Sequence, residues 1–357
     1  MSGTSMDAID VVVVDITEDS LRTLSYQQID FADELQQRIR ELDSSSSVEV
    51  ISELDVTLAH KFAEAILEVL DNCQINAAKV FAIGSHGQTV LHLPDSTQPR
   101  TLQIGDGNLI AALTGIPVVT DFRRMDIAVG GQGAPLAPAF HAWFFQNHDK
   151  LVVLNIGGMA NLTVLNGDLV SGFDSGPGNA LLDDWIRKHK GLDFDEDGGW
   201  ALSGQVHQPL LNSMLADNYF SKPAPKSTGK DEFNLRWLKN LIESLRNKPD
   251  LVDVQATLLE LSAITISDAI EKYANDAREV LVCGGGCHNK ALMDKLANRL
   301  KSKKFDTTKT HGIDPDAVEA IAFAWLAKQR IDGKPANLPA VTGAHESVLL
   351  GTIYQKR

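Results

Sequence analysis

Both halves of this 357-residue chain open on the same pattern, a glycine-rich polar turn that runs straight into an apolar strand. In the second half the pattern is complete: "LVVLNIGGMANLTVL" reads as a strand over residues 151–156, a turn over 157–161 and a second strand over 162–165. In the first half "MSGTSMDAIDVVVVDI" gives the turn, residues 3–7, and the following strand through four valines, residues 11–14. The echo predicts a strand ahead of the first turn too, about five to ten residues long by ordinary strand lengths, encoded upstream of Met1. A repeat of this kind asks for two similar lobes. The length agrees, since single cores stop growing at roughly 250–300 residues. Glycines in such turns let backbone N–H groups approach a bound anion, and Thr4 and Ser5 add hydroxyl donors. Either turn alone is more often just a hairpin; two at the heads of two lobes would make a phosphate clamp.

Between the turns, short apolar runs alternate with longer amphipathic stretches, the pattern of an α/β protein with parallel or mixed sheets. Residues 48–72 carry helical spacing and read as one long helix or two joined ones, and "KVFAIGSHG" reads as a strand ending in a glycine-flanked loop. A strand over 116–120 delivers Asp121, Arg123 and Arg124 to its carboxyl end, where open α/β sheets bind ligands. After a helix over 140–146, "NHDK" is a polar break. The boundary is placed there, giving lobes 1–146 and 147–357, the last segment being able to pack back on the first lobe.

Charge and composition narrow the function. Lys+Arg 33 against Asp+Glu 47 leaves a net charge of −14, which repels nucleic acid and anionic lipid. An anionic ligand must therefore be caught by a local constellation. No apolar run approaches the ~18 residues of a membrane helix, and Asp7, Asp10 and Asp15 spoil a signal-peptide reading of the start. Three scattered cysteines, Cys73, Cys283 and Cys287, fit a reducing compartment, so a cytoplasmic location is expected.

A third glycine element, "REVLVCGGGCHNKALMDKL", reads as strand, Gly284–Gly285–Gly286 and helix, as where a backbone passes under a nucleotide and a helix N-terminus follows. It lacks the GxGxxG spacing and the acidic residue of a dinucleotide fold. A metal reading of Cys283, Cys287 and His288 lacks a fourth ligand. "PKSTGKDEF" is only superficially a Walker A fragment. Asp174 sits between strand-like "LVSGF" and "SGPGN", where it either projects a carboxylate for chemistry or merely caps a turn. Arg123 and Arg124 beside Asp121 are a solvated ion-pair cluster or an anion fork. Glu319, in an apolar helical stretch, needs a partner or a ligand. His86 in "GSHGQ" is a sugar-hydroxyl donor or a hydrogen-bonded loop histidine.

Taken jointly, "SGTSMDAID", "GSHGQTV", "TDFR", "GGQGAPLAP", "NIGGMANLT", "FDSGPGN", "PKSTGK" and "CGGGCHN" resemble the anhydro-N-acetylmuramic acid kinases, within the sugar kinase, Hsp70 and actin superfamily. The resemblance runs from Ser2 to near the C-terminus. It implies a two-lobe actin-like ATPase fold with duplicated mixed-sheet domains, ATP and Mg²⁺ in a cleft between the lobes, and hinge closure on binding. It implies a first phosphate turn of Gly3, Thr4, Ser5, Met6, Asp7, Ala8, Ile9 and Asp10, with Ala8 where the family commonly has glycine. Gly157, Gly158 and Asn161 would belong to the second turn, and Gly284, Gly285, Gly286 and Asn289 to the nucleotide cradle. Asp174 matches the family's general base; Arg123, Arg124, Glu319 and His86 match sugar contacts, with an arginine suited to the lactyl carboxylate of a muramic sugar. The implied reaction is phosphorylation with opening of the anhydro ring, in peptidoglycan recycling. The partner is a small amino sugar, and the resemblance suggests a homodimer. A conventional sugar kinase and a chaperone- or actin-like ATPase are the alternatives.

Overall fold

The alternating pattern folds as a mixed α/β structure, and the computed structural model describes residues 1–2, 8–42 and 45–356. In chain order the strands are β1 (Ala8–Ile16), β2 (Leu21–Asp30), β3 (Ile83–Gly84), β4 (Gln88–Leu93), β5 (Arg100–Ile104), β6 (Val118–Thr120), β7 (Leu151–Ile156), β8 (Met159–Asn166), β9 (Leu169–Pro177), β10 (Glu279–Cys283), β11 (Lys304–Thr307) and β12 (Thr352–Tyr354). Two units share them: Met1–Phe145 together with Ala317–Arg357, and Gln146–Asp316. The stretch 147–357 is thus divided, its final segment grouping with the first unit.

In the first unit β1 and β2 form an antiparallel ribbon, with residues 11–14 in β1 as the valine run predicts. The turn at 3–7 lies outside the described residues. A second sheet runs β12-β6-β3, β3 parallel and β12 antiparallel to β6. Only Ile83 and Gly84 of the "KVFAIGSHG" stretch pair as strand, and the 116–120 run shortens to β6. Residues 48–72 form one helix, started by Ser47, whose hydroxyl accepts the Val50 N–H at 3.2 Å. Leu54, Leu58, Phe62, Ala65 and Val69 recur at helical period and bury one face in a core with Val11, Ile83, Ile110 and Val118. From the returning segment, the helix Val318–Ile331 packs on β1 and β3. Between β1 and β3 lies a mostly apolar slot of about 120 Å³, lined among others by Val12, Phe62, Ile66, Ala320 and Ala324. Met1 lines one side of it, pairing with Asp10 in both directions: its amine donates to Asp10 O at 2.6 Å and its carbonyl accepts the Asp10 N–H at 2.8 Å.

The second unit is built on one five-stranded sheet in the order β11-β10-β7-β8-β9. The strands β10 and β11 run parallel, as do β10 and β7, while β7, β8 and β9 form an antiparallel meander. Buried nearly end to end, β7 reads as an unbroken apolar run because it is central and covered. The helix Leu251–Tyr273 supplies Val254, Leu258, Leu261 and Ile266 to the same core. The β7–β8 turn is tighter than residues 157–161: it is Gly157 and Gly158 alone, and Asn161 lies within β8, opposite Asn155. Likewise the three glycines do not enter a helix directly. A 3₁₀ turn, Gly285–His288, intervenes before the helix Lys290–Arg299, whose N-cap is Asn289.

Candidate active site

In the second unit the sheet register collects the chemistry. Cys283 pairs with Asn155, Asn155 with Asn161, and Asn161 with Asp174, so one rung crosses four strands at the turn end of the sheet. Directly opposed residues present side chains to the same face. The rung therefore aligns the carboxylate of Asp174 with two amide side chains, and it ends at the residue before Gly284. There the backbone turns at φ +78°, and a Cβ on Gly284 would lie 2.2 Å from Asn155 Oδ1. Only glycine allows that approach. Asn155 was not singled out from the sequence, because an asparagine inside an apolar strand gives no signal until its neighbours are known. Asn289 spends its side-chain oxygen on the Leu292 N–H at 3.0 Å as the helix cap.

Asp174 is gripped by the "PKSTGK" segment. Its N–H donates to Lys226 O at 2.8 Å, its Oδ2 accepts the Thr228 N–H at 2.9 Å, and its carbonyl accepts from the Tyr219 hydroxyl at 2.8 Å. Lys226 Nζ in turn donates to Tyr219 O at 2.9 Å, and Thr228 Oγ1 donates to Glu232 Oε2 at 2.7 Å. Burial pushes the Asp174 carboxyl up to about 6, against the lowering pull of the Thr228 N–H. "PKSTGK" thus serves as a brace for an acid. A backbone N–H carries no residue signature, which is why composition could not disclose it.

The first unit holds a separate group. Arg123 Nε donates to His86 Nε2 at 3.0 Å and Nη1 to Gly133 O at 2.7 Å. His86 Nδ1 lies 2.9 Å from Gly87 O, so its proton sits on Nδ1 and Nε2 accepts. The ring is buried, and desolvation, followed by the neighbouring guanidinium, holds it well below the usual histidine range. Burial lowers Arg123 to about 10 while Glu319 and Asp126 pull it up, leaving the guanidinium charged at neutral pH. Solvent reaches Glu319 at the first turn of its helix, yet the crowding around it raises its carboxyl, with Arg123 lowering and Asp10 raising it further. Asp10 accepts the Tyr26 hydroxyl at 2.8 Å. Ala8 and Ile9 are buried in β1, Ile9 within the core. Arg124 stands apart: it is half exposed, 3.6 Å from Asp121 Oδ1, and its Nε donates to Thr101 O at 3.4 Å. Gly3, Thr4, Ser5, Met6 and Asp7 lie outside the described residues.

The cysteine cluster does not include Cys283: among the described residues Cys287, His288 and Asp316 converge, with His288 Nε2 2.8 Å from Asp316 Oδ2. Burial, then Asp316 and Asp314, push the Cys287 thiol up to about 12, so it stays protonated and is a poor ligand. Among the described residues no helix is long and apolar enough to cross a membrane.

The chain matches the family described as anhydro-N-acetylmuramic acid kinase over residues 1–356. A protein of that name from Aliivibrio fischeri is 47% identical over 360 residues, covering 99% of this chain and 97% of the relative. Its counterparts from Photobacterium profundum and Vibrio cholerae are 46% and 45% identical, each over 99% of this chain and 97% and 96% of the relative's length. With the match running through both units and every segment of the two constellations, the chain belongs to the anhydro-N-acetylmuramic acid kinase family.

Proposed function

We propose that this protein is an ATP-dependent kinase that converts 1,6-anhydro-N-acetylmuramic acid and water to N-acetylmuramic acid 6-phosphate, opening the anhydro ring, in peptidoglycan recycling. The observation that carries the reading is the rung Cys283–Asn155–Asn161–Asp174, which sets a braced, partly desolvated carboxylate in line with the glycine segment suited to a nucleotide. Family membership favours it over a kinase using a free hydroxyl and over a chaperone- or actin-like ATPase.

An anhydro sugar has no free 6-hydroxyl, so the bridge must break as the phosphoryl group arrives. Asp174 takes a proton from a water that attacks the anomeric carbon. The bond from that carbon to the bridge oxygen breaks, and the released oxygen attacks the γ-phosphorus in line as ADP leaves. Because Thr228 holds Oδ2, Oδ1 is the atom that receives the proton. With its carboxyl near 6, Asp174 is mostly ionised at neutral pH and more basic than an ordinary aspartate. Gly157, Gly158 and the Gly284–Gly285–Gly286 run bring backbone close to phosphate and nucleotide. Arg123, held by His86 and Gly133, offers its remaining guanidinium edge to the lactyl carboxylate, with Glu319 at a sugar hydroxyl; His86, whose two ring nitrogens are taken by Arg123 and Gly87 O, serves by holding Arg123 rather than by touching the sugar. Mg²⁺ prefers oxygen donors and uses few protein ligands. The three-member clusters of described residues are nitrogen- and sulfur-containing and suit it poorly, whereas the carboxylate of Asp10, an oxygen donor near the start of β1, would hold it. Bound there, it would neutralise charge on the phosphate oxygens.

The test is Asp174→Asn, which keeps the shape and removes the base. We expect kcat to fall by about 10²–10⁴, with sugar and ATP binding retained and the wild-type acid limb of kcat centred near pH 6. In heavy-oxygen water the label should enter the anomeric hydroxyl of the product. Label in the transferred phosphate, or near-normal turnover of the Asn variant, would remove the coupled ring opening.

A further inference from the structure

Asp126 is fully buried in the short helix Arg124–Ala128, two residues from the exposed Arg124. Three neutral donors surround its carboxylate. Oδ1 accepts Asn337 Nδ2 at 2.8 Å and Thr342 Oγ1 at 2.7 Å, while Oδ2 accepts the Gly133 N–H at 2.7 Å. Its own carbonyl accepts the Gly131 N–H at 2.8 Å, and a Cβ on Gly131 would sit 2.2 Å from Oδ2, so the loop is wrapped tightly round this one side chain. A buried carboxylate is costly unless every lone pair is used. Here three of about four acceptor positions are used, on the loop and on the returning segment.

Gly133 connects that carboxylate to the site. Its N–H is held by Asp126, and its carbonyl holds Arg123 Nη1 at 2.7 Å. Both bonds arise from one residue, in a φ of +67° that glycine takes readily, so the two held groups are separated by a single Cα. The returning segment is anchored to the same node: Gln132 N–H donates to Thr342 O at 2.8 Å, His345 N–H to Val129 O at 2.9 Å, and Val348 N–H to Asn337 Oδ1 at 2.7 Å. We infer that Asp126 is a positioning residue for the acceptor sugar: through Gly133 it fixes the guanidinium of Arg123, and the segment from Asn337 to Thr342 holds Asp126 in turn. The inference rests on the proposed role of Arg123 for its kinetic consequence, but its geometric content does not.

Asp126→Asn replaces one acceptor with a donor facing donors. We expect KM for the anhydro sugar to rise about 10–100-fold, with kcat reduced far less and KM for ATP unmoved. Coupling is read by combining Asp126→Asn with Arg123→Lys: acting through Arg123, the double variant is no worse for sugar KM than Arg123→Lys alone. Multiplying effects would overturn the inference. Arg123 Nε–H is followed by ¹⁵N NMR on the full chain, where its bond to His86 Nε2 slows exchange with water. Exchange should speed up in Asp126→Asn and stay slow in the surface control Asp71→Asn; unchanged exchange in Asp126→Asn overturns the inference whatever the sugar kinetics show. If Arg123→Lys leaves sugar KM alone, the substrate role of Arg123 fails and the NMR arm still decides the positioning. Should Asp126→Asn not fold, Thr342→Val, which removes one donor and keeps the carboxylate, is expected to move exchange and sugar KM the same way by a smaller factor, and no movement in either counts against the inference.

Discussion

A carboxyl raised by burial disfavours the folded state whenever it is ionised, and Asp174 is ionised through the neutral range. A rise to about 6 from 3.8 corresponds to about 3 kcal/mol at ~1.4 kcal/mol per unit, an upper figure for a group that solvent partly reaches. The sign follows from linkage: the native state holds this proton more tightly than the unfolded chain, so the carboxyl's contribution is best below the ordinary aspartate range and worsens as pH climbs through about 6. Asp174→Asn is therefore expected to be more stable than the native chain by about 1–3 kcal/mol at pH 8, the gain vanishing near pH 3.5, as urea midpoints at the two pH values will show. At this scale the sequence discloses what residue type can disclose. Asp174, Arg123 and His86 are chemically conspicuous. The Thr228 N–H and Gly133 carbonyl that aim them are not, since every residue has a backbone.

Elements were legible where a periodic pattern is long. The helix Val48–Asn72 has a polar cap, one apolar stripe and no interrupting glycine or proline. Leu58 is wholly buried on that stripe, so Leu58→Ala should cost about 2–5 kcal/mol in a denaturant titration with an unchanged slope. A loss under 1 kcal/mol would mean the helix does not hold this core. Short elements were less legible. The turn at Gly157 and Gly158 reads longer from the sequence because Met159, Ala160 and Asn161 alternate as poorly as a loop does, and it is their ladder partners on β7 and β9 that make them strand. The glycine run before Lys290 hid a 3₁₀ turn, because glycine carries no side chain to betray a period.

For the whole molecule, linear order misleads about which residues share a unit. The helix carrying Glu319 follows the second unit in sequence yet belongs to the first, beside Arg123 and Asp10. The sequence allows its last segment to pack back on the first lobe, but nothing in it marks Ala317 as the point of return. In the second unit β7 lies between β8, antiparallel, and β10, parallel. The slot of the first unit has corresponding borders, β1 on one side and β3 on the other, and among the described residues each strand has a ladder partner strand only on its far side. A row of N–H and C=O groups at strand spacing is a template, and Met1 already bonds the first position of one row through Asp10. The first unit should accordingly behave as a receptor for extended apolar peptide. A synthetic segment with the β7 sequence, LVVLNI, is expected to slow amide hydrogen exchange at Val12 and Gly84, whose neighbours Ile83 and Ser85 direct their N–H groups to the β6 side, and to raise the melting temperature, and a proline-substituted peptide to do neither. If the native-sequence segment leaves exchange unchanged, the slot is merely a void that the two helices beside it tolerate.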